Sequence, residues 1–136
     1  MVKNIIKDIF FLSQKSVPAT RADIPIARDL LDTLAANSDR CVGMAANMIG
    51  INKNIIAVNI GMLNIAMFNP VIVAKSGEYS AEEGCLSLTG LRPAKRYQKI
   101  TVEYTDMSWA RKTGEFTGWT AQIIQHEIDH LSGIII

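Results

Sequence analysis

The sequence predicts an α+β fold: antiparallel β-sheet packed around a helix near the C-terminus, with a further helix near the N-terminus. Two observations predict it. Apolar residues recur at helical spacing twice, at Ile26, Leu30, Leu31 and Leu34 and again at Ile124, Ile128 and Leu131. Between these stretches lie short β-prone runs, at 55–60, 64–68, 71–74 and 99–105, broken by Gly61, Pro70 and polar residues. The 136 residues hold no repeat, low-complexity tract or linker, so residues 1–136 read as one domain.

The first twenty residues show no clear period, and Pro18, Ala19 and Thr20 read as the end of an irregular lead-in. A helix follows, with Asp23 as cap, Pro25 in the first turn, and Asn37 and Ser38 as the stop. Residues 41–52 carry Gly43 and Gly50 around Ala45 and Ala46 and are expected to form a loop that other backbone can approach closely. The runs at 55–60, 64–68 and 71–74 suggest an antiparallel meander. Residues 99–105 alternate, with Ile100, Val102 and Tyr104 on one face. The last helix is expected over 118–131, capped by Thr117 and stopped by Ser132 and Gly133, with 134–136 as a terminal strand stub.

Composition excludes several classes of function. Fourteen Lys and Arg against thirteen acids give a net charge of +1, which disfavours nucleic-acid binding and attraction to anionic lipid. No apolar stretch approaches the ~20 residues of a membrane span, and the run at 9–12 is too short for a signal peptide. A cytoplasmic location is the expectation. The two cysteines, Cys41 and Cys85, are too few for a disulfide scaffold and are expected to stay reduced.

Both histidines of the chain fall within residues 126–130, which read His126-Glu127-Ile128-Asp129-His130 and match H-E-x-x-H. Residues four apart on a helix are about 40° apart around its axis, so both imidazoles can grip one ion. Glu127 between them can take a proton from the attacking water and return it to a leaving amine. A catalytic metal commonly has three protein ligands, and no His, Cys, Asp or Glu follows His130. The third must come from upstream, and Cys85, beside the small Gly84, is the best candidate. Cys41 reads as an ordinary apolar packing residue. Asp129 is either a surface charge or a group that orients an imidazole through its second nitrogen. By ligand type alone, one cysteine and two histidines favour zinc.

Three segments in order, Gly43-Met44-Ala45-Ala46, Glu83-Gly84-Cys85-Leu86-Ser87 and Gln125-His126-Glu127-Ile128-Asp129-His130-Leu131, resemble the three motifs of the peptide deformylase family. The opening Phe10-Phe11-Leu12-Ser13 is similar as well, and the resemblance covers nearly the whole chain. It implies removal of the formyl group from the initiator methionine of nascent polypeptides, with those chains as partners, at the ribosome. It makes Cys85, His126 and His130 the metal ligands and Glu127 the general base and acid. The implied ion is ferrous iron, with zinc, nickel or cobalt able to replace it. The backbone N–H of Leu86 corresponds to one oxyanion donor. Val42, Gly43, Glu83, Gly84 and Arg92 fall at expected substrate contacts, with the peptide extended along the first motif.

The first motif departs from the family pattern at Met48, where a glutamine normally donates to the oxyanion, because a thioether has no proton to give. Asn47, one position earlier, would replace that donor if the loop were rotated. Trp119 and Gln122 stand where aliphatic pocket residues are usual, and Trp119 is expected in the core. Met48 therefore motivates a competing reading, a paralogue that binds metal and peptide with little activity; a hydrolase of another small amide is a third.

Overall fold

The structure is a computed structural model describing residues 1–85 and 88–134. Helices α1 (Ile9–Leu12) and α2 (Ile24–Ala36) precede strands β1 (Gly43–Ala45), β2 (Ile55–Asn59), β3 (Asn64–Cys85), β4 (Leu88–Thr105) and β5 (Arg111–Thr117). Helix α3 (Gly118–Leu131) comes last. The strands form one antiparallel sheet in the order β1-β2-β3-β4-β5, a meander as expected.

Strand β2 shows how the sheet divides the core. Its side chains alternate, so Ile55 and Ala57 pack with Leu30, Leu34, Met44, Met48 and Phe68. Ile56 and Val58 instead pack with Met67, Ile100, Val102, Ile123 and Ile124. α2 thus covers one face and α3 the other, and all four β2 residues are buried. Burial on both faces explains the unbroken apolar run.

Several local expectations change. Residues 71–74 do not start a new strand after Pro70; β3 runs straight through it. Proline has no N–H for a ladder, but the register shifts between Phe68 and Val71, and Asn69 takes a positive φ of 51° there. Asn69 uses this bulge to hold the lead-in, accepting from Ala19 N–H at 2.8 Å and donating to its carbonyl at 3.0 Å. Residues 99–105 are the end of the longer β4, and β5 adds a further strand.

The segment 41–52 is not a plain loop. It contains β1 and a 3₁₀ turn over Ala46–Ile49, with residues 43–49 all buried. Small side chains here serve packing rather than flexibility: a Cβ on Gly43 would lie 2.8 Å from Ile123 Cγ2 and 2.9 Å from Glu127 Oε2. Only glycine lets α3 lie this close to β1.

The caps also differ. Asp23 accepts from Thr20 N–H at 2.8 Å across the short turn Arg21–Asp23, and its side chain makes no capping bond to α2. Thr117 stands at the N-terminus of α3 without a side-chain capping bond. α3 is held instead by Gln125, whose amide exchanges hydrogen bonds of 2.8 and 2.9 Å with the Tyr97 backbone on β4. In the lead-in, α1 is an added turn, capped by Asp8 Oδ1 accepting from Phe10 N–H at 3.0 Å. Of the expected stub, Ile135 and Ile136 lie outside the described residues.

Candidate metal centre and its cavity

α3 carries the two histidines on the flank that faces β1 and the end of β3. Their Nε2 atoms are 3.0 Å apart, with ring centroids at 4.7 Å. Cys85 brings its Sγ from the last position of β3, and the three ligand atoms lie within 4.8 Å of one another. Two imidazole nitrogens each ~2.0–2.1 Å from one ion would stand roughly 3.0–3.4 Å apart, so the spacing fits a shared ion. Soft sulfur with two imidazoles suits iron, zinc, nickel or cobalt better than magnesium or calcium.

Glu127 is fully enclosed beside them, and its Oε1 has no hydrogen-bond partner among the described residues. Burial pushes its carboxyl up to about 7, against the opposing charge of His126. A carboxyl so placed takes and returns protons near neutrality.

Glu83 orients the first histidine. Its Oε1 lies 2.8 Å from His126 Nδ1, and because a carboxylate can only accept, Nδ1 carries a proton and Nε2 is the nitrogen that faces Cys85 and His130. The carboxylate is itself fixed by Arg96, whose Nε donates to Oε2 at 2.9 Å and whose Nη2 donates to Oε1 at 2.6 Å. Arg96 Nη1 donates to Asp129 Oδ2 at 2.7 Å, and Gln122 Nε2 donates to Glu83 Oε2 at 2.9 Å. Burial opposes the charge of Glu83, but hydrogen bonds to His126 and Arg96 outweigh it and hold the carboxyl down at about 2. At His126 burial also opposes the charge, yet hydrogen bonds to Cys85 and Glu83 raise it to about 10. His130, without such a carboxylate, is pushed down to about 3 by burial and by the charges of His126 and Arg96.

Asp129 thus follows neither expected course: it reaches His126 only through Arg96 and Glu83. The carboxylate of Glu83, expected among substrate contacts, has both oxygens committed to protein partners. No sequence motif marks Arg96. Its signal is parity: it is in phase with Ala94, Ile100 and Val102, the inward positions of β4, and a buried arginine demands carboxylate partners.

The cluster opens into a cavity of about 350 Å³. Val42, Gly43, Met48, Glu83 and Gly84 line it with Cys85, His126 and Glu127. Arg92 is half-buried opposite Glu83 in the β3–β4 ladder and is not among the lining residues. Cys41 is a free thiol, half-buried and packed against the core as expected, and it also lines the cavity. Burial and the nearby Glu127 charge push its thiol up to about 11.

Three further expectations are corrected or localised. Trp119 is not in the core: it lies in the first turn of α3, is 62% exposed, and stands at the cavity wall. Asn47 is not turned toward the cavity; its Nδ2 donates to the His130 carbonyl at 2.9 Å, tying the 3₁₀ turn to the ligand helix. Met48 is buried at the cavity wall, and its Sδ accepts from Ala45 N–H at 3.5 Å. Leu86 lies outside the described residues.

A family model for polypeptide deformylase matches residues 5–136. The chain belongs to the peptide deformylase family. It is 54% identical over 136 residues to a peptide deformylase of Clostridium beijerinckii, covering 100% of both chains. It is 39% identical over 130 residues to one of Heliobacterium modesticaldum, covering 91% of this chain and 83% of that one. Among solved structures, a Met-Ala-Ser-bound class I type b peptide deformylase of Acinetobacter baumannii superimposes with a TM-score of 0.89 at 27% identity. That match covers 99% of this chain and 97% of the other. A peptide deformylase of Legionella pneumophila gives 0.88 at 30% identity, covering 99% and 83%. The antiparallel sheet with α3 packed against it is therefore the family fold.

Proposed function

We propose that this chain is a metal-dependent hydrolase that removes the formyl group from the initiator methionine of nascent polypeptides, releasing formate and a free amino terminus. The observation that carries the reading is the buried cluster of Cys85, His126 and His130 beside the unpartnered carboxyl oxygen of Glu127, at the end of a cavity of about 350 Å³.

Cys85 Sγ and the Nε2 atoms of His126 and His130 would hold one divalent ion, ferrous in the cell, with zinc, nickel or cobalt able to replace it. When bound, the ion supplies Lewis acidity for the formyl carbonyl and the attacking water. Glu127 takes a proton from that water as its oxygen bonds to the formyl carbon. The same carboxyl then gives the proton to the amide nitrogen as the C–N bond breaks. Glu83 keeps His126 in the tautomer that ligates, and Arg96 keeps Glu83 in place.

The developing oxyanion needs donors. The backbone N–H of Leu86 is the proposed one. Met48 offers none, since a thioether has no proton and its sulfur only accepts, from Ala45 N–H, and a missing donor typically costs ~10² to 10³ in rate. The substrate main chain runs past Val42 and Gly43, where the edge strand β1 begins, and past Gly84, with Arg92 at its far end. We place the activity in the cytoplasm, on chains leaving the ribosome; among the described residues no helix is long and apolar enough to cross a membrane.

Formate release from formyl-Met-Ala-Ser by anaerobically prepared, iron-loaded protein tests the proposal. Release no faster than that of a Glu127→Ala control would reject it. Met48 keeps a second reading in view, a metal- and peptide-binding paralogue, and binding of Met-Ala-Ser without turnover would favour that one. Turnover of other N-acyl peptides in preference to formyl ones would favour the hydrolase of another small amide.

A further inference from the structure

One wall of the cavity is a flank of α3. Trp119, Gln122, Ile123, His126 and Glu127 follow at i, i+3, i+4, i+7 and i+8, and all five line it. The opposite rim belongs to Cys41, Val42 and Gly43, where the edge strand β1 begins, and the exposed Val42 offers backbone there to an extended peptide. On the proposed deformylase reading, on which this inference rests, the formyl carbon lies beside Cys85, His126 and Glu127. A main chain at Val42 and Gly43 leaves the α3 flank as the facing wall for the first side chain. Gln122 is four residues before His126, about 6 Å along the axis, and methionine's side chain reaches roughly 5 Å from its Cα.

Gln122 stands between the apolar Trp119 and Ile123 on this wall, with Glu83 beside it. Its Nε2 donates to Glu83 Oε2 at 2.9 Å and its Oε1 accepts from Tyr79 Oη at 3.1 Å, so both ends of the amide are held. An amide nitrogen has two protons and an amide oxygen two lone pairs, leaving one donor and one acceptor position. The residue is half-buried, so an occupant meets these positions partly shielded from water. A thioether is a weak acceptor, whereas a sulfoxide oxygen is a strong one that an aliphatic wall would leave unsatisfied. Trp119, 62% exposed one turn further out, offers an indole to the apolar remainder of the side chain.

We propose that Gln122 is a specificity-determining residue that lets the cavity take N-formyl peptides beginning with methionine sulfoxide as well as methionine. The reaction is unchanged: water adds to the formyl carbon, the C–N bond breaks, and the sulfoxide is neither reduced nor oxidised.

Product peptides test this without turnover. Dissociation constants of Met-Ala-Ser, its sulfoxide and norleucyl-Ala-Ser are measured by titration calorimetry on nickel-loaded wild type, Gln122→Met and Gln122→Leu. Metal content is confirmed for each, since Gln122 also touches Glu83. The wild type is expected to bind sulfoxide and methionine peptides within about three-fold of each other, and both variants to disfavour the sulfoxide by a further ten-fold or so. The methionine-to-norleucine ratio should move far less. An unchanged sulfoxide-to-methionine ratio in both variants would overturn the inference, as would rejection of the sulfoxide by wild type. Formate release from the formylated peptides separates the two failures. No release from any of them removes the deformylase reading, whereas release with an unchanged ratio removes the role of Gln122 alone.

Discussion

Arg96 on β4 grips Glu83 on β3 with two prongs, Nη2 to Oε1 at 2.6 Å and Nε to Oε2 at 2.9 Å. Its remaining nitrogen reaches Asp129 on α3. The pair therefore couples the strand bearing Cys85 to the helix bearing both histidines.

Glu83→Gln is expected to weaken metal binding about 10- to 100-fold, because the amide no longer fixes the His126 tautomer as a carboxylate does. Arg96→Ala leaves Glu83 buried without its cation and should cost about 3–5 kcal/mol in urea unfolding. Metal titration with a competing chelator reads the first and a denaturation midpoint the second. Full metal affinity in Glu83→Gln would show that Glu83 does not orient His126.

Met48→Gln should raise turnover of formyl-Met-Ala-Ser ten-fold or more, by adding a donor where the thioether has none. The effect belongs in kcat, since the oxyanion exists only in the transition state. An unchanged kcat would remove Met48 as the limiting residue.

Gly43→Ala places a methyl group 2.8 Å from Ile123 and 2.9 Å from Glu127. α3 must move away from β1, at a cost of about 1–3 kcal/mol in stability. Deformylation should fall by more than ten-fold, because Glu127 moves with the helix. Thermal melting and steady-state rates check both.

Turnover should rise with pH as Glu127 loses its proton. The carboxyl sits at about 7 without an ion, and a bound cation favours its ionised form, so the limb falls below that value. Metal affinity carries its own dependence. His126 holds a proton up to about 10, and an ion must displace it, so apparent affinity should climb with pH through the neutral range. A pH–rate profile and metal titrations at several pH values measure the two limbs.

Acid should unfold the metal-free protein partly through Glu83. Its carboxyl falls from an ordinary value of 4.5 to about 2 on folding, so its contribution is complete above 4.5 and is lost as pH drops toward 2. Glu83→Gln should flatten that part of the stability–pH curve.

The sequence by itself determined the α+β class, the meander, the two main helices and the grouping of Cys85, His126, Glu127 and His130. These rest on periodicity and on rare residues at mechanically meaningful spacing, both of which are local properties of the chain. Only tertiary structure decided the surroundings. Pro70 reads as a strand break until the bulge at Asn69 absorbs its missing N–H, and 41–52 reads as a loop until α3 closes on Gly43. Glu83 reads as a substrate contact until Arg96, thirteen positions along the chain, closes on it across the ribbon, and Trp119 reads as core until its turn of α3 faces the cavity. Met48 was flagged from sequence, but that its sulfur is spent on Ala45 while Asn47 holds His130 is a matter of rotamer and packing, which no one-dimensional pattern encodes.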